Sequence, residues 1–153
     1  MKRAISKTAG KVQGRGQALT EFALILPVFL MSLFGVVDLG QALWQYDTLA
    51  HAAREGSRYA ALHGRNGIPS TGPGSSSFTA PNNDTNVTGV VLSRAVGLDP
   101  SRLVVRSTWP DGDNLKGSRV LVEVEYVFRP FTSSILGVGN VTMRSTSQVG
   151  ILF

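Results

Sequence analysis

"GRGQALTEFALILPVFLMSLFGVVDLG" (Gly14–Gly40) decides how the rest of the chain is read. From Phe22 to Val37 it carries no charged side chain, and only Pro27, Ser32 and Gly35 interrupt the apolar residues. At 1.5 Å per residue that stretch makes roughly 24 Å of helix, a little short of a ~30 Å hydrocarbon core. Ala18 and Leu19 before Glu21, and Leu39, Ala42 and Leu43 after Asp38, bring it to spanning length. The two acids then bracket the core near its faces. A cleaved secretory signal is the competing reading, but its apolar region is shorter and ends at a small-residue processing site. Here the run passes straight into a helical pattern, which favours a retained membrane helix. Pro27 removes one backbone hydrogen bond and is expected to bend or loosen that helix.

Charge orients the helix. The chain of 153 residues has 15 Lys and Arg against 10 Asp and Glu. Lys2, Arg3, Lys7, Lys11 and Arg15 all precede the apolar run with no acid among them, and the remaining bases and acids balance. A basic tail ahead of an apolar helix keeps its N-terminus in the cytoplasm, which sends the C-terminal part to the other side. A neutral body without a basic patch argues against nucleic acid as a partner. The chain has no cysteine, so disulfides, thiolate metal sites, a cysteine nucleophile and a lipidated cysteine anchor are excluded.

Beyond the apolar run the periodicity changes without a break. Leu39, Ala42, Leu43, Tyr46, Leu49, Ala50, Ala53, Ser57, Ala60 and Ala61 recur at three- and four-residue steps, with Gln41, Gln45, Asp47, Arg54, Glu55 and Arg58 mostly elsewhere. This predicts an amphipathic helix with a small-residue stripe, continuous with the membrane helix from about Ala18 to His63 and capped at Gly64. Residues 64–89 are mostly Gly, Pro, Ser, Thr and Asn, a composition suited to a flexible loop. Val87, Val90, Val91 and Ala95 then space as a short helix.

The last third alternates. "RLVVRSTW" (Arg102–Trp109), "SRVLVEVEYVF" (Ser118–Phe128) and "NVTMRSTSQVGILF" (Asn140–Phe153) read as three half-buried strands. Val120, Val122, Val124, Tyr126 and Phe128 share one face of the middle strand, with Arg119, Glu123 and Glu125 on the other. The apolar face of such a sheet needs a cover, and the stripe of the long helix supplies it. The fold class expected is therefore α+β. The division is a basic leader at 1–16, a transmembrane helix at 17–43, an amphipathic extension at 44–63, a flexible loop at 64–89, and a small α+β domain at 90–153.

Chemistry is sparse. His51 and His63 are too far apart in sequence for a metal pair on one helix face. Glu123 and Glu125 read as a solvated strand face rather than an acid–base pair. "DGDN" (Asp111–Asn114) offers oxygen ligands but lacks the later Gly and distal Glu of an EF-hand, so a turn is its default. Neither a P-loop nor a GxSxG element is present. No metal or cofactor is expected, and the chain is read as a non-enzyme. In "AAREGSRYAA" (Ala52–Ala61), Arg54, Glu55 and Arg58 make either an ordinary helix-surface ion pair or, with Asp38, contacts between subunits of an assembly. The sequence leaves both open.

Basic tail, Gly16, four residues, then Glu21-Phe22 at the head of an apolar helix: this order resembles type IV pilins and pseudopilins. More narrowly, "RGQALTEFALILPVF", "GVVDLGQ" and "AAREGSRYAA" resemble the TadE-like proteins of Tad (Flp) pilus systems over about residues 14–62. The C-terminal "VEVEYVFRPF" and the strand after it are similar too. The resemblance implies a pilin-like fold, residence in the inner membrane, and cleavage between Gly16 and Gln17 by a prepilin peptidase. The partners it implies are that peptidase, membrane lipid, and other pilin subunits and Tad components. Mature chains of type IVa pilins typically begin with Phe; this one would begin with Gln17, as the Flp-type pattern allows. Glu21 has no dedicated partner in the intact chain beyond interfacial water and Arg15. After cleavage the new α-amino group of Gln17, and those of neighbouring subunits, would pair with it. The rival reading is an uncleaved, membrane-anchored binding domain.

Overall fold

The computed structural model describes residues 13–73, 85–137 and 139–152, and within these all side chains but those of 13–15 and 136. One helix, α1 (Gln13–Leu62, 50 residues, with Pro27 inside it), passes through both of two compact units, Met1–Val37 and Asp38–Phe153.

In the first unit α1 has no other element to lie against among the described residues. None of its side chains from Gly16 to Val37 is buried. Leu24, Val28 and Val36 are each about two-thirds exposed or more. A helix that is apolar all round suits a hydrocarbon solvent rather than one side of a water-soluble core. Among the described residues α1 is the one helix long and apolar enough to cross a membrane. Ser32 donates to the Val28 carbonyl at 3.0 Å, so its hydroxyl is satisfied within the helix.

The second unit is an α+β domain. Its sheet is a meander of β1 (Leu103–Thr108), β2 (Arg119–Phe128) and β3 (Val141–Gly150), antiparallel throughout in the order β1-β2-β3. Val105 stands opposite Val124, and Val122 opposite Ser147. The period-2 alternation of β2 holds along the strand: Val120, Val122, Val124, Tyr126 and Phe128 all point into the core. They meet Leu49, Ala52, Ala53, Ala60 and Ala61 of α1, together with Val87 and Val91 of α2 (Thr85–Arg94).

Small residues let α1 approach closely. A Cβ placed on Gly56 would lie 2.5 Å from Val91 Cγ2 and 3.3 Å from Val122 Cγ1, so Gly56 marks the closest meeting of α1, α2 and β2. Beside it the Ser57 hydroxyl donates to the Arg54 carbonyl at 2.9 Å and lies 2.8 Å from the Ser147 hydroxyl. With the Ser57 proton used on Arg54, the proton between the two serines comes from Ser147. This polar pair therefore sits in the interface without an unmet donor.

Two expectations change. Leu39, Leu43 and Tyr46 of the predicted stripe are exposed, and the buried face begins in earnest at Leu49. The loop assigned to 64–89 gives way to helix earlier than expected, and its first residues, though irregular, are tied down. Thr71 donates its amide to the His63 carbonyl at 2.7 Å, and Arg65 donates to the Asn114 carbonyl at 3.0 Å. The Asn114 amide in turn donates to the Thr71 carbonyl at 2.8 Å, tying residues 64–73 to the β1–β2 turn. At the far end α2 already starts at Thr85, because burying Val87, Thr88 and Val91 orders a turn that composition alone would leave loose. Residues 74–84 lie outside the described residues, as do Lys2, Arg3, Lys7 and Lys11 of the basic tail.

Candidate functional site

The residues singled out at the head of α1 lie within about two turns of it. Gly16, Gln17, Glu21 and Phe22 are all exposed, and nothing lies within 4 Å of a Cβ built on Gly16. Thr20 donates its hydroxyl to the Gly16 carbonyl at 2.7 Å. Helical spacing of four brings Gln17 over Glu21, and the Gln17 side-chain amide donates to Glu21 Oε1 at 3.1 Å. Glu21 thus has a dedicated partner in the intact chain, contrary to expectation. The signal was present in the sequence as a Gln-x-x-x-Glu spacing. That bond is made by the residue whose main-chain nitrogen would become the amine after cleavage at Gly16.

Asp38 behaves differently from its sequence reading. Expected among contacts between subunits, it is 6% exposed and its carboxylate is occupied inside the chain. Oδ1 accepts from the Phe131 amide at 2.8 Å. Oδ2 accepts from the Thr132 amide at 2.9 Å and from the Thr132 hydroxyl at 2.6 Å. These donors stand immediately before a one-turn helix, α3 (Ser133–Leu136), whose own first residues make no side-chain cap. The carboxylate satisfies the two amides just ahead of the helix, while the amides of Ser133, Ser134 and Ile135 bond the carbonyls of Pro130, Phe131 and Thr132. The sequence analysis missed Phe131 and Thr132. The run Pro130-Phe131-Thr132-Ser133-Ser134 has the composition of a helix start, but nothing local says which distant acid would meet it.

Arg54, Glu55 and Arg58 remain on the surface of the second unit, Glu55 half-buried and both arginines exposed. Among the described residues no ion pair joins them to each other or to another side chain. The helix-surface pair, one of the two alternatives that the sequence leaves open, is not formed among the described residues. Arg54 instead borders a shallow depression with Trp44, Asp47, His51 and Arg94, while Glu55 and Arg58 border a second with Tyr59 and Ser93. Each depression runs along the groove between α1 and α2.

The acid pair on β2 is a structural feature. Register sets Arg106 opposite Glu123 and Arg144 opposite Glu125. Arg106 reaches Glu125 at 3.2 Å, Arg144 reaches Glu123 at 2.9 Å, and Arg144 also bonds Glu125. Partial burial pushes the Glu125 carboxyl up, but Arg106 and Arg144 outweigh it and hold it below the usual carboxylate range. A Glu125 carboxylate held ionised by two guanidiniums is poor general-acid material. In the "DGDN" turn, Asp111 accepts from the Arg119 side chain and from its amide at 2.7 Å, which lowers its carboxyl to about 2. Asp113 accepts from the Leu115 amide at 3.2 Å and from the Ser118 hydroxyl. These carboxylates close the hairpin connection.

Residues 16–58 match the family model described as TadE-like protein. The match starts at Gly16 and ends at Arg58, so it takes in the head of α1, the apolar run, Asp38 and the charged triplet. No curated protein and no solved structure matches the chain.

Proposed function

We propose that the chain is a pseudopilin or minor pilin of a Tad (Flp) pilus or secretion system, cut by a prepilin peptidase between Gly16 and Gln17. The observation that carries the proposal is the TadE-like match opening at Gly16, within the first turns of α1 and shortly ahead of its exposed apolar run. In this reading residues 1–16 are a cytoplasmic leader, α1 crosses the inner membrane, and the α+β domain stands outside it. The role is structural. Cleavage frees an α-amino group on Gln17, one helical turn from a carboxylate that its side chain already touches. The ammonium would add a positively charged donor beside the Gln17 side-chain amide, so attraction between opposite charges would join the hydrogen bond already made to the carboxylate. Neighbouring subunits bring further amines to the same carboxylate, which makes Glu21 and Phe22 the assembly end of the helix. Arg54, Glu55 and Arg58, which make no ion pair among the described residues, are available to other pilins or Tad components.

A second reading, an uncleaved single-pass anchor for an extracytoplasmic binding domain, has one observation in its favour. α1 begins at Gln13, so the Gly16–Gln17 bond lies inside a helix that a protease would have to unwind. N-terminal mass spectrometry of the membrane fraction separates the two. A chain starting at Gln17 is the expected result; one starting at Met1 establishes the anchor instead, and one starting near residue 40 or beyond reveals a secretory signal. Glu21→Ala is expected to leave processing intact and to abolish assembly, read as surface pili by immuno-electron microscopy. Normal pili from that variant would refute the amine pairing.

A further inference from the structure

Cleavage between Gly16 and Gln17 would place a free α-amino group on a residue whose own side chain can consume it. In an N-terminal glutamine the amine nitrogen and the side-chain carbonyl carbon Cδ belong to one residue, so their reaction is intramolecular and favoured by proximity. The N–Cδ bond forms, the Cδ–Nε2 bond breaks, and one amine proton leaves with the amide nitrogen as ammonia. No oxidant, reductant or second substrate takes part. The product is a pyroglutamyl lactam, which keeps one neutral N–H and no longer carries a positive charge. Such an end cannot make the ion pair with Glu21 that the proposed assembly uses. From Gln17 to Val37 Glu21 is the sole charged side chain, so no other side chain in that stretch replaces the lost pairing.

In the intact chain the side chain that would react is already engaged. Gln17 Nε2 donates to Glu21 Oε1 at 3.1 Å, toward the C-terminal end of α1. Ring closure needs the amide to turn the other way, back onto its own main-chain nitrogen. Donation to a carboxylate also strengthens the conjugation of the amide nitrogen with its carbonyl, which makes Cδ a poorer electrophile and the nitrogen a poorer leaving group. The cut would leave this arrangement standing. A helical hydrogen bond runs from the amide of residue 21 to the carbonyl of residue 17, so these residues form the first turn of the shortened helix. The bond lost with the leader is a different one, from the Thr20 hydroxyl to the Gly16 carbonyl.

We infer that Gln17 is a site of lactam formation after cleavage, and that Glu21 restrains the closure by holding the side-chain amide away from the new amine. This rests on the reading of the Gly16–Gln17 bond as the processing site. One carboxylate then acts twice: it preserves the amine of its own chain, and it receives amines in the assembly. A subunit whose end has closed keeps its helix and its domain and loses the charge that pairing requires.

The mature chain and its Glu21→Ala, Glu21→Gln and Thr20→Ala variants are purified from the membrane fraction in detergent and held warm at neutral pH. Intact-mass spectra at intervals follow the loss of the mass of ammonia, and fragment ions locate that loss to residue 17. The parent chain is expected to close slowly. Glu21→Ala should close about twofold faster or more, the gain in free side-chain population expected from breaking an i, i+4 pair on a helix surface. Glu21→Gln keeps a neutral acceptor and should fall between the two. Thr20→Ala changes the same turn without touching the Gln17 amide and should match the parent. Equal rates in the parent, Glu21→Ala and Glu21→Gln would overturn the restraint. Slower closure in Glu21→Ala would show the carboxylate assisting the reaction and equally overturn it. A chain that starts at Gln17 and loses no ammonia there in any variant would overturn the modification site itself. A chain that starts at Met1 is a separate failure: the processing reading falls and takes the inference with it.

Discussion

The two halves of α1 share a backbone and differ in everything that surrounds it. From Gly16 to Val37 the helix has large apolar side chains on every side and none of them is buried. From Leu49 to Ala61 it has a face of alanine, glycine and serine, and that face is fully buried against β2 and α2. Large exposed residues and small buried ones invert the usual rule of interiors. The inversion is consistent if lipid is the solvent of the first half and a sheet is the partner of the second. A helix that must approach valines to within van der Waals contact needs small side chains, while one that faces acyl chains gains from large ones. Asp38 stands at the change, its carboxylate turned to the domain.

The comparison can be broken by exchanging equivalent substitutions between the halves. The largest effect belongs to Leu49→Ala. Removing a side chain that is wholly buried is expected to destabilise the domain by about 2–5 kcal/mol, whereas Leu24→Ala should leave it unchanged within about 0.5 kcal/mol. Denaturant unfolding in detergent, followed by near-UV circular dichroism, measures both; equal losses would mean that the first half is part of the same core. Gly56→Ala comes next. Its methyl group would meet branched valines, so a loss of about 1–3 kcal/mol is expected, while Gly35→Ala, with nothing within 4 Å, should be neutral or slightly stabilising. A neutral Gly56→Ala would show that α1 and α2 can separate without cost.

The junction gives a more local effect. Asp38→Ala is expected to raise amide exchange at Phe131 and Thr132 by about tenfold or more relative to Val122, with Asp38→Asn partly restoring protection. Unchanged exchange at both amides would mean that water replaces the carboxylate there. The smallest effect concerns pH. The Asp111 carboxyl, lowered to about 2 mainly by the Arg119 side chain, contributes stability that is fully present above the ordinary aspartate range near 3.8. That contribution is lost as pH falls through about 2. Asp111→Asn should therefore flatten this part of the acid limb of a thermal-unfolding series while leaving the neutral region slightly lowered. An acid limb identical to that of the parent chain would assign it to other carboxylates.

Much of this fold is readable from side-chain spacing. Val120 to Phe128 alternate because one face of β2 is buried and the other is not, and a period of two survives in sequence whatever the sheet packs against. The small-residue stripe at Ala53, Ser57, Ala60 and Ala61 likewise announces close packing. Its extension to Leu39, Leu43 and Tyr46 misleads, because spacing identifies a helix face without saying where its partner ends. Glu21 and Gln17 were within reach of the sequence, being one helical turn apart. Asp38 was not, because its donors lie more than ninety residues away on the far side of two strands.

By itself, then, the sequence determined the character of each segment: a basic tail, an apolar run, a small-residue stripe and three alternating strands. These depend on composition and period, which are local properties. Tertiary structure decided which groups satisfy which. It placed Arg106 and Arg144 on either side of the β2 acids, set Ser147 against Ser57, and carried Phe131 and Thr132 to Asp38. Hydrogen bonds and ion pairs need positions fixed to a few tenths of an ångström, and for residues distant along the chain only the folded sheet supplies that.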